Sequence, residues 1–172
     1  MFRGALMDAE TRDLLYLLGE VSIATVALSG ITMVLAVSGM KLTGHRIGQI
    51  TVQLRMAFLV VAFSILPLVL LQFDLSEKLL WLISTGSYLI VIVFLMIRFR
   101  MNAEGYEGLP RHSLPIALVA SIGALTLLPV NLWLAESWPY IVQLFIGWAV
   151  SMGLFIRFMY EILSERRDQG GT

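Results

Sequence analysis

The sequence predicts an all-α integral membrane bundle of five transmembrane helices, with the N-terminus out and the C-terminus in. Three observations carry this reading. Hydrophobic residues make up 58% of the chain and charged residues 14%, where soluble domains average about 45–50% and about 25%. The apolar residues gather in five runs, at about 14–37, 56–73, 79–97, 114–134 and 139–156. As helices these rise roughly 27–36 Å, against a hydrocarbon core of about 30 Å. With five spans, Lys41, Arg46, Arg55, Arg98, Arg100, Arg111, Arg157, Arg166 and Arg167 fall on one side, and only Arg3, Arg12 and Lys78 on the other. The positive-inside rule makes the first side cytoplasmic.

The 172 residues form a single domain, 1–172, with no room for a sizeable soluble part. Formal net charge is +0, so no basic face points to nucleic acid. The chain has no Cys, which excludes disulfides, thiolate metal sites and Cys nucleophiles.

Asp8, in the polar leader Met1–Asp13, is placed to cap a helix running through Glu10 and Arg12 into span one. Ala36-Val37-Ser38 loosely fits a signal-peptide cleavage site. The apolar run is too long for one and Glu20 interrupts it, so a retained helix is expected. Ser22, Thr25, Ser29, Thr32, Ala36 and Gly39 recur at the 3–4 spacing of left-handed helix packing. Ala24 and Ala27 lie opposite, together with Glu20. A helix small on two faces is expected inside the bundle.

Gly39–Gln53 reads as a connection, with a turn at Gly44 and Gly48 and an amphipathic lead of Ile47, Ile50 and Leu54. Span two is rich in Leu, Val and Phe and is expected to face lipid, kinked at Pro67. Asp74–Lys78 is a tight connection. Span three carries Ser84, Thr85, Gly86 and Ser87 in its first half, suited to packing, and lipid-seeking residues in its second. Arg98–Ser113 is the longest internal loop, with Gly105, Gly108 and Pro110. Pro115 suits the first turn of span four, where Ala117, Ala120, Ser121 and Ala124 form a second small seam and Pro129 a second kink. Ala135–Trp138 is a tight turn, and Pro139 opens span five. Gly147 with Ser151, and Ala149 with Gly153, are small-xxx-small pairs. The tail Ser164–Thr172 is expected to fray. These seams predict mutual contact of spans one, four and five, with span two and the inner half of span three more peripheral.

Trp81, Trp133, Trp138, Tyr16 and Tyr140 map to the outer boundary as an aromatic belt. Arg157 is spaced to pair with Glu161 one turn on.

An intramembrane carboxylate is a functional candidate by default. With span one centred near Ala27, Glu20 lies roughly 10 Å from the midplane. Gln72, Ser84, Ser87, Asn131 and Gln143 map to the same leaflet, and Pro67 and Pro129 each free a carbonyl there. The candidate intramembrane polar site is therefore Glu20, Gln72, Ser84, Asn131 and Gln143. Glu20 is expected to point into the bundle, within reach of Asn131 or Gln143. Such a site serves either proton or cation coupling or interhelical hydrogen bonding. His45 and His112 fall in loops with no second ligand at metal spacing, so no metal or cofactor is expected. No nucleophile–base pattern or phosphate loop marks an enzyme.

Leu18-Gly19-Glu20-Val21-Ser22, Leu66-Pro67-Leu68 and Trp138-Pro139-Tyr140 together resemble a family of small, uncharacterised polytopic bacterial inner-membrane proteins. That family carries an acidic residue early in the first span and a Leu-Pro kink in the second. The resemblance implies a multi-pass protein of the bacterial cytoplasmic membrane, with no assigned activity. Small multidrug exporters also carry a first-helix Glu, but with four shorter spans and a different aromatic pattern, so they supply only an analogy. Two function classes follow. One is a non-enzymatic accessory or scaffold subunit, favoured by the lack of catalytic chemistry. The other is a small proton- or cation-coupled transporter using Glu20. The expected partners are the lipid bilayer and either further copies of the chain or another membrane protein.

Overall fold

The structure, a computed structural model, describes residues 7–37, 44–101, 123 and 126–170. Among these it is helical apart from short turns. The elements are α1 (Ala9–Val37), α2 (Gly44–Leu70) with a 3-10 turn at Leu71–Phe73, α3 (Glu77–Met101), α4 (residues 126–134) and α5 (Ser137–Gly170). Four stretches are long and apolar enough to cross a membrane: Ala9–Val34, Ile50–Phe73, Glu77–Leu95 and Ser137–Ser164. Most of the fourth apolar run, with Pro115 and the seam of Ala117, Ala120, Ser121 and Ala124, lies outside the described residues. So do Arg3, Gly39, Lys41, Gly105, Gly108, Pro110, Arg111 and His112.

Asp8 caps α1 as expected. Its Oδ1 accepts the Thr11 N–H at 2.5 Å, satisfying a donor that the helix start leaves free. The N–H and the hydroxyl of Thr11 hold the Asp8 carboxyl below its ordinary pKa. Both short turns use a left-handed residue, Asp74 at φ 50° and Ala135 at φ 54°. Asp tolerates that conformation; Ala carries a strain of roughly 1–2 kcal/mol.

Three boundaries move. α2 begins at Gly44, so Gln53 is inside a helix and not in a connection. α3 continues to Met101, past the predicted end at Ile97. α5 runs to Gly170 where fraying was expected. The Arg157–Glu161 pair at 3.1 Å and the helix-favouring Glu165, Arg166 and Arg167 suit a continued helix.

The packing order also differs from expectation. Among the described residues α2 packs most extensively, against both α1 and α5, and is central rather than peripheral. Its buried face is Ile50, Gln53, Ala57, Val60, Ser64 and Pro67. That face has the same 3–4 spacing as the seam of α1, with small residues at Ala57 and Ser64. The Leu, Val and Phe content that suggested lipid belongs to the other side, where Phe58, Ile65 and Val69 are exposed. α1 is correspondingly not inside the bundle. Ser22, Thr25, Ser29 and Thr32 are buried, while Ala24 and Ala27 are exposed.

The core joins α1, α2, α3, α4 and α5 through Leu15, Val60, Phe63, Leu80, Trp81, Tyr88, Leu128, Tyr140 and Leu144. The Tyr88 ring packs 4.7 Å from Phe63, and that of Tyr140 5.7 Å from Trp81, both tilted at 51°. Trp81 and Tyr140 are therefore core residues and not part of a belt; Tyr16, Trp133 and Trp138 remain exposed. α3 divides broadly as expected. Leu80, Trp81, Ser84, Thr85 and Tyr88 are buried and Ile90, Phe94 and Ile97 are exposed, but Ile92 in the second half is also a core residue.

Candidate functional site

Polar side chains inside the bundle form two layers. The first layer, beside the α4–α5 turn, is built on Asn131, which is fully buried. Its Nδ2 donates to Thr85 Oγ1 at 2.8 Å, and its Oδ1 accepts the Glu136 N–H at 3.0 Å. The second bond assigns the amide orientation, because a backbone N–H only donates. The Ala135 N–H bonds the Asn131 carbonyl at 2.7 Å. One residue thus ties the α4–α5 turn to α3. Ser84, next to Thr85 on α3, and Gln143 on α5 are also buried. Ser84 Oγ and Gln143 Oε1 have no hydrogen-bond partner among the described residues.

Glu20 does not join this layer. Its side chain is exposed on the outward face of α1, and none of the described hydrogen bonds or ion pairs involves it. The expectation that it points toward Asn131 or Gln143 is corrected. The reason lies in the helix wheel. Thr11, Leu15, Leu18, Ser22, Thr25, Ser29 and Thr32 face α2 and α5, and Glu20 stands on the opposite side of a 3.6-residue turn. Gln72 is likewise exposed, in the 3-10 turn after α2, and Ser87 is half-buried. Of the five predicted positions, Ser84, Asn131 and Gln143 are buried, and Glu20 and Gln72 are not.

The second layer, farther from that turn, was missed by sequence reasoning. Gln53 Nε2 donates a hydrogen bond to Ser29 Oγ. Ser29 Oγ in turn donates to the Thr25 carbonyl at 2.6 Å. Thr25 Oγ1 donates to the Val21 carbonyl at 2.8 Å and accepts from Trp148 Nε1 at 3.3 Å. Ser151 Oγ donates to the Gln53 carbonyl at 3.1 Å. These bonds join α1, α2 and α5. The available signal was the run Gln53, Ala57, Val60, Ser64, which puts Gln53 on the packing face once the helix is extended back past Met56.

Chemically, both layers are made of neutral donors and acceptors. Hydroxyls bonded to carbonyls one turn back, as at Thr25, Ser29, Thr32 and Ser64, satisfy themselves within the helix and leave small surfaces for close approach. Among the described residues no group of three or more His, Asp or Glu is placed to hold a metal ion. The Arg157–Glu161 pair on α5 is partly exposed, where such i, i+4 pairs contribute a few tenths of a kcal/mol. Comparison with protein-family models, with curated proteins and with solved structures finds no match.

Proposed function

We propose that the chain is a five-span, non-enzymatic accessory or scaffold subunit of a bacterial cytoplasmic membrane, with the N-terminus outside and the C-terminus in the cytoplasm. The observation that carries this reading is the division of polar residues. Gln53, Ser29, Thr25, Asn131 and Thr85 are spent on bonds that hold helices together, while Glu20 faces away from them. Proton or cation coupling through Glu20 within one copy of the bundle needs that carboxylate to face inward, and Glu20 lacks that placement. The nine-to-three distribution of basic residues supports the orientation.

The test has two arms. A chain tagged at its native level should run in mild detergent as part of a larger assembly of fixed stoichiometry. Purified protein in vesicles loaded with a pH-sensitive dye should show no Glu20-dependent proton flux under cation gradients. Such a flux, lost in Glu20→Gln, would overturn the reading in favour of a coupled transporter.

A further inference from the structure

Ser84 Oγ, Tyr88 Oη and Gln143 Oε1 are buried and make no hydrogen bond among the described residues; a fourth such atom, Ser22 Oγ, lies on α1. Ser84 and Tyr88 are fully buried, and Gln143 is 3% exposed. Other buried hydroxyls differ: those of Thr25, Ser29, Thr32 and Ser64 bond carbonyls one turn back.

The register of α3 against α5 brings the three oxygens together. The Trp81 and Tyr140 rings pack 5.7 Å apart. Tyr88 Oη lies 3.1 Å from the place a Cβ on Gly147 would take, so only glycine at that position seats the hydroxyl without a close contact. Trp81 to Tyr88 and Tyr140 to Gly147 are equal lengths of helix, so α3 and α5 run parallel and in step between these contacts. Ser84 stands three residues after Trp81, and Gln143 three after Tyr140. The two therefore share one level, on the faces that α3 and α5 turn toward each other. The Tyr88 hydroxyl joins them from one turn further along. α4 covers this level: Gln143 Oε1 lies 3.9 Å from the Cβ position of Gly123, and Asn131 bonds Thr85, the neighbour of Ser84.

Buried polar atoms cost free energy unless they are hydrogen-bonded, and inside a membrane bulk water does not relieve them. We infer that Ser84, Tyr88 and Gln143 form an internal binding site for a water molecule that bridges α3 and α5 under the cover of α4. The chemistry selects this ligand. All three groups are neutral, so an ion would meet no opposite charge there. A carbonyl oxygen only accepts, whereas a hydroxyl both donates and accepts. Water meets both demands, and it serves either orientation of the Gln143 amide. Buried waters make about three such bonds. The near-complete burial of all three residues favours the smallest molecule with that chemistry. None of the described hydrogen bonds joins α3 to α5 directly, and the bridge supplies that link. The inference rests on the fold and not on the scaffold role.

The sign of three substitutions tests it. Replacing a partnerless buried oxygen by an apolar isostere removes a penalty and stabilises; replacing one that is bonded to water loses the bond and leaves the other partners unmet. In reversible unfolding of the full chain in mixed micelles, Ser84→Ala, Tyr88→Phe and Gln143→Met should each favour the unfolded state by about fivefold. Ser84→Ala combined with Tyr88→Phe should cost less than the two separately, because both disrupt one bridge. A crystal structure of the unsubstituted chain, at a resolution that shows ordered water, should place a water within hydrogen-bond distance of Ser84 Oγ, Tyr88 Oη and Gln143 Oε1.

Neutral or stabilising effects of all three substitutions overturn the inference, as do strictly additive losses. In the crystal, a direct Ser84–Gln143 bond, a Ser84 hydroxyl turned onto the carbonyl one turn back, or a larger molecule at the site overturns it, even where a variant fails to fold.

Discussion

The Tyr140 hydroxyl donates a 2.6 Å hydrogen bond to the Phe63 carbonyl, joining α5 to α2 in the buried core. That carbonyl is free because of Pro67, four residues on, which has no N–H to close the helical turn. The proline is a binding feature as well as a kink. Tyr140→Phe keeps the ring and orphans the carbonyl, at a cost of about 1–2 kcal/mol. Pro67→Ala restores the N–H, so in that background Tyr140→Phe should cost less than half as much. Reversible unfolding in mixed micelles gives the four values of the cycle, and additive costs would refute the link.

Gly147 is a point of close approach between α5 and its neighbours. A Cβ there would lie 3.1 Å from Tyr88 Oη and 3.2 Å from Val60 Cγ2. Gly147→Leu and Ser29→Leu should each destabilise by about 3 kcal/mol or prevent folding, and Leu70→Ile by less than about 1.5 kcal/mol. A Cβ at Gly153 meets nothing within 4 Å, so Gly153→Ala should be neutral or slightly stabilising. Comparable losses at all four positions would contradict the packing described.

Gln53 is the hub of the layer that joins α1, α2 and α5. Gln53→Leu removes its bond to Ser29 but leaves the bond from Ser29 to the Thr25 carbonyl. A loss of about 1 kcal/mol is expected, in line with interhelical hydrogen bonds in lipid. Thermal unfolding should show it, together with faster exchange of the α1 amides near Ser29. No change in either would remove Gln53 from its role.

Glu20 should be dispensable for the fold of a single copy. Its side chain is exposed, so Glu20→Leu in monomeric, detergent-diluted protein should shift stability by less than about 0.5 kcal/mol. A loss above about 1 kcal/mol would place it in a contact within the chain.

The first turn of α1 should respond to acid through Asp8. Its carboxyl is held below the ordinary value by the Thr11 N–H and hydroxyl. The sign follows from linkage: a lowered folded pKa contributes stability above the ordinary aspartate range, and that contribution is lost as pH falls through the lowered value. Amide exchange at Ala9–Thr11 should therefore quicken in that acid window once the intrinsic pH dependence of exchange is removed. Asp8→Asn, which still accepts a hydrogen bond but does not titrate, should abolish the response.

Much of this architecture is readable from local pattern. Composition and run length predict helices that cross a membrane, and the stretches found at Ala9–Val34, Ile50–Phe73, Glu77–Leu95 and Ser137–Ser164 match four of the five runs. Asp8 was readable because a cap depends on residues three apart. The buried seam of α1 was readable because its spacing repeats. The pairing of Gly147 and Ser151 on one buried face was readable for the same reason.

Trp81 and Tyr140 show where that legibility stops. Their placement near helix ends suits a membrane boundary, yet their rings pack against each other, tilted, in the core. Depth along a helix is set by residue number; the direction a side chain faces is set by what other helices offer.

By itself, then, the sequence determined which segments are helical and apolar, where α1 starts, and that α1 has faces able to take a neighbour. Only the tertiary structure decided which face is occupied. One polar layer joins Thr25 to Trp148, residues 123 positions apart, and the other joins Asn131 to Thr85, 46 apart. A 3–4 repeat records that a helix face admits close approach, but both seams of α1 satisfy it equally. The choice between them rests on the joint fit of several helices, a property of no single segment, and that choice leaves Glu20 on the outside.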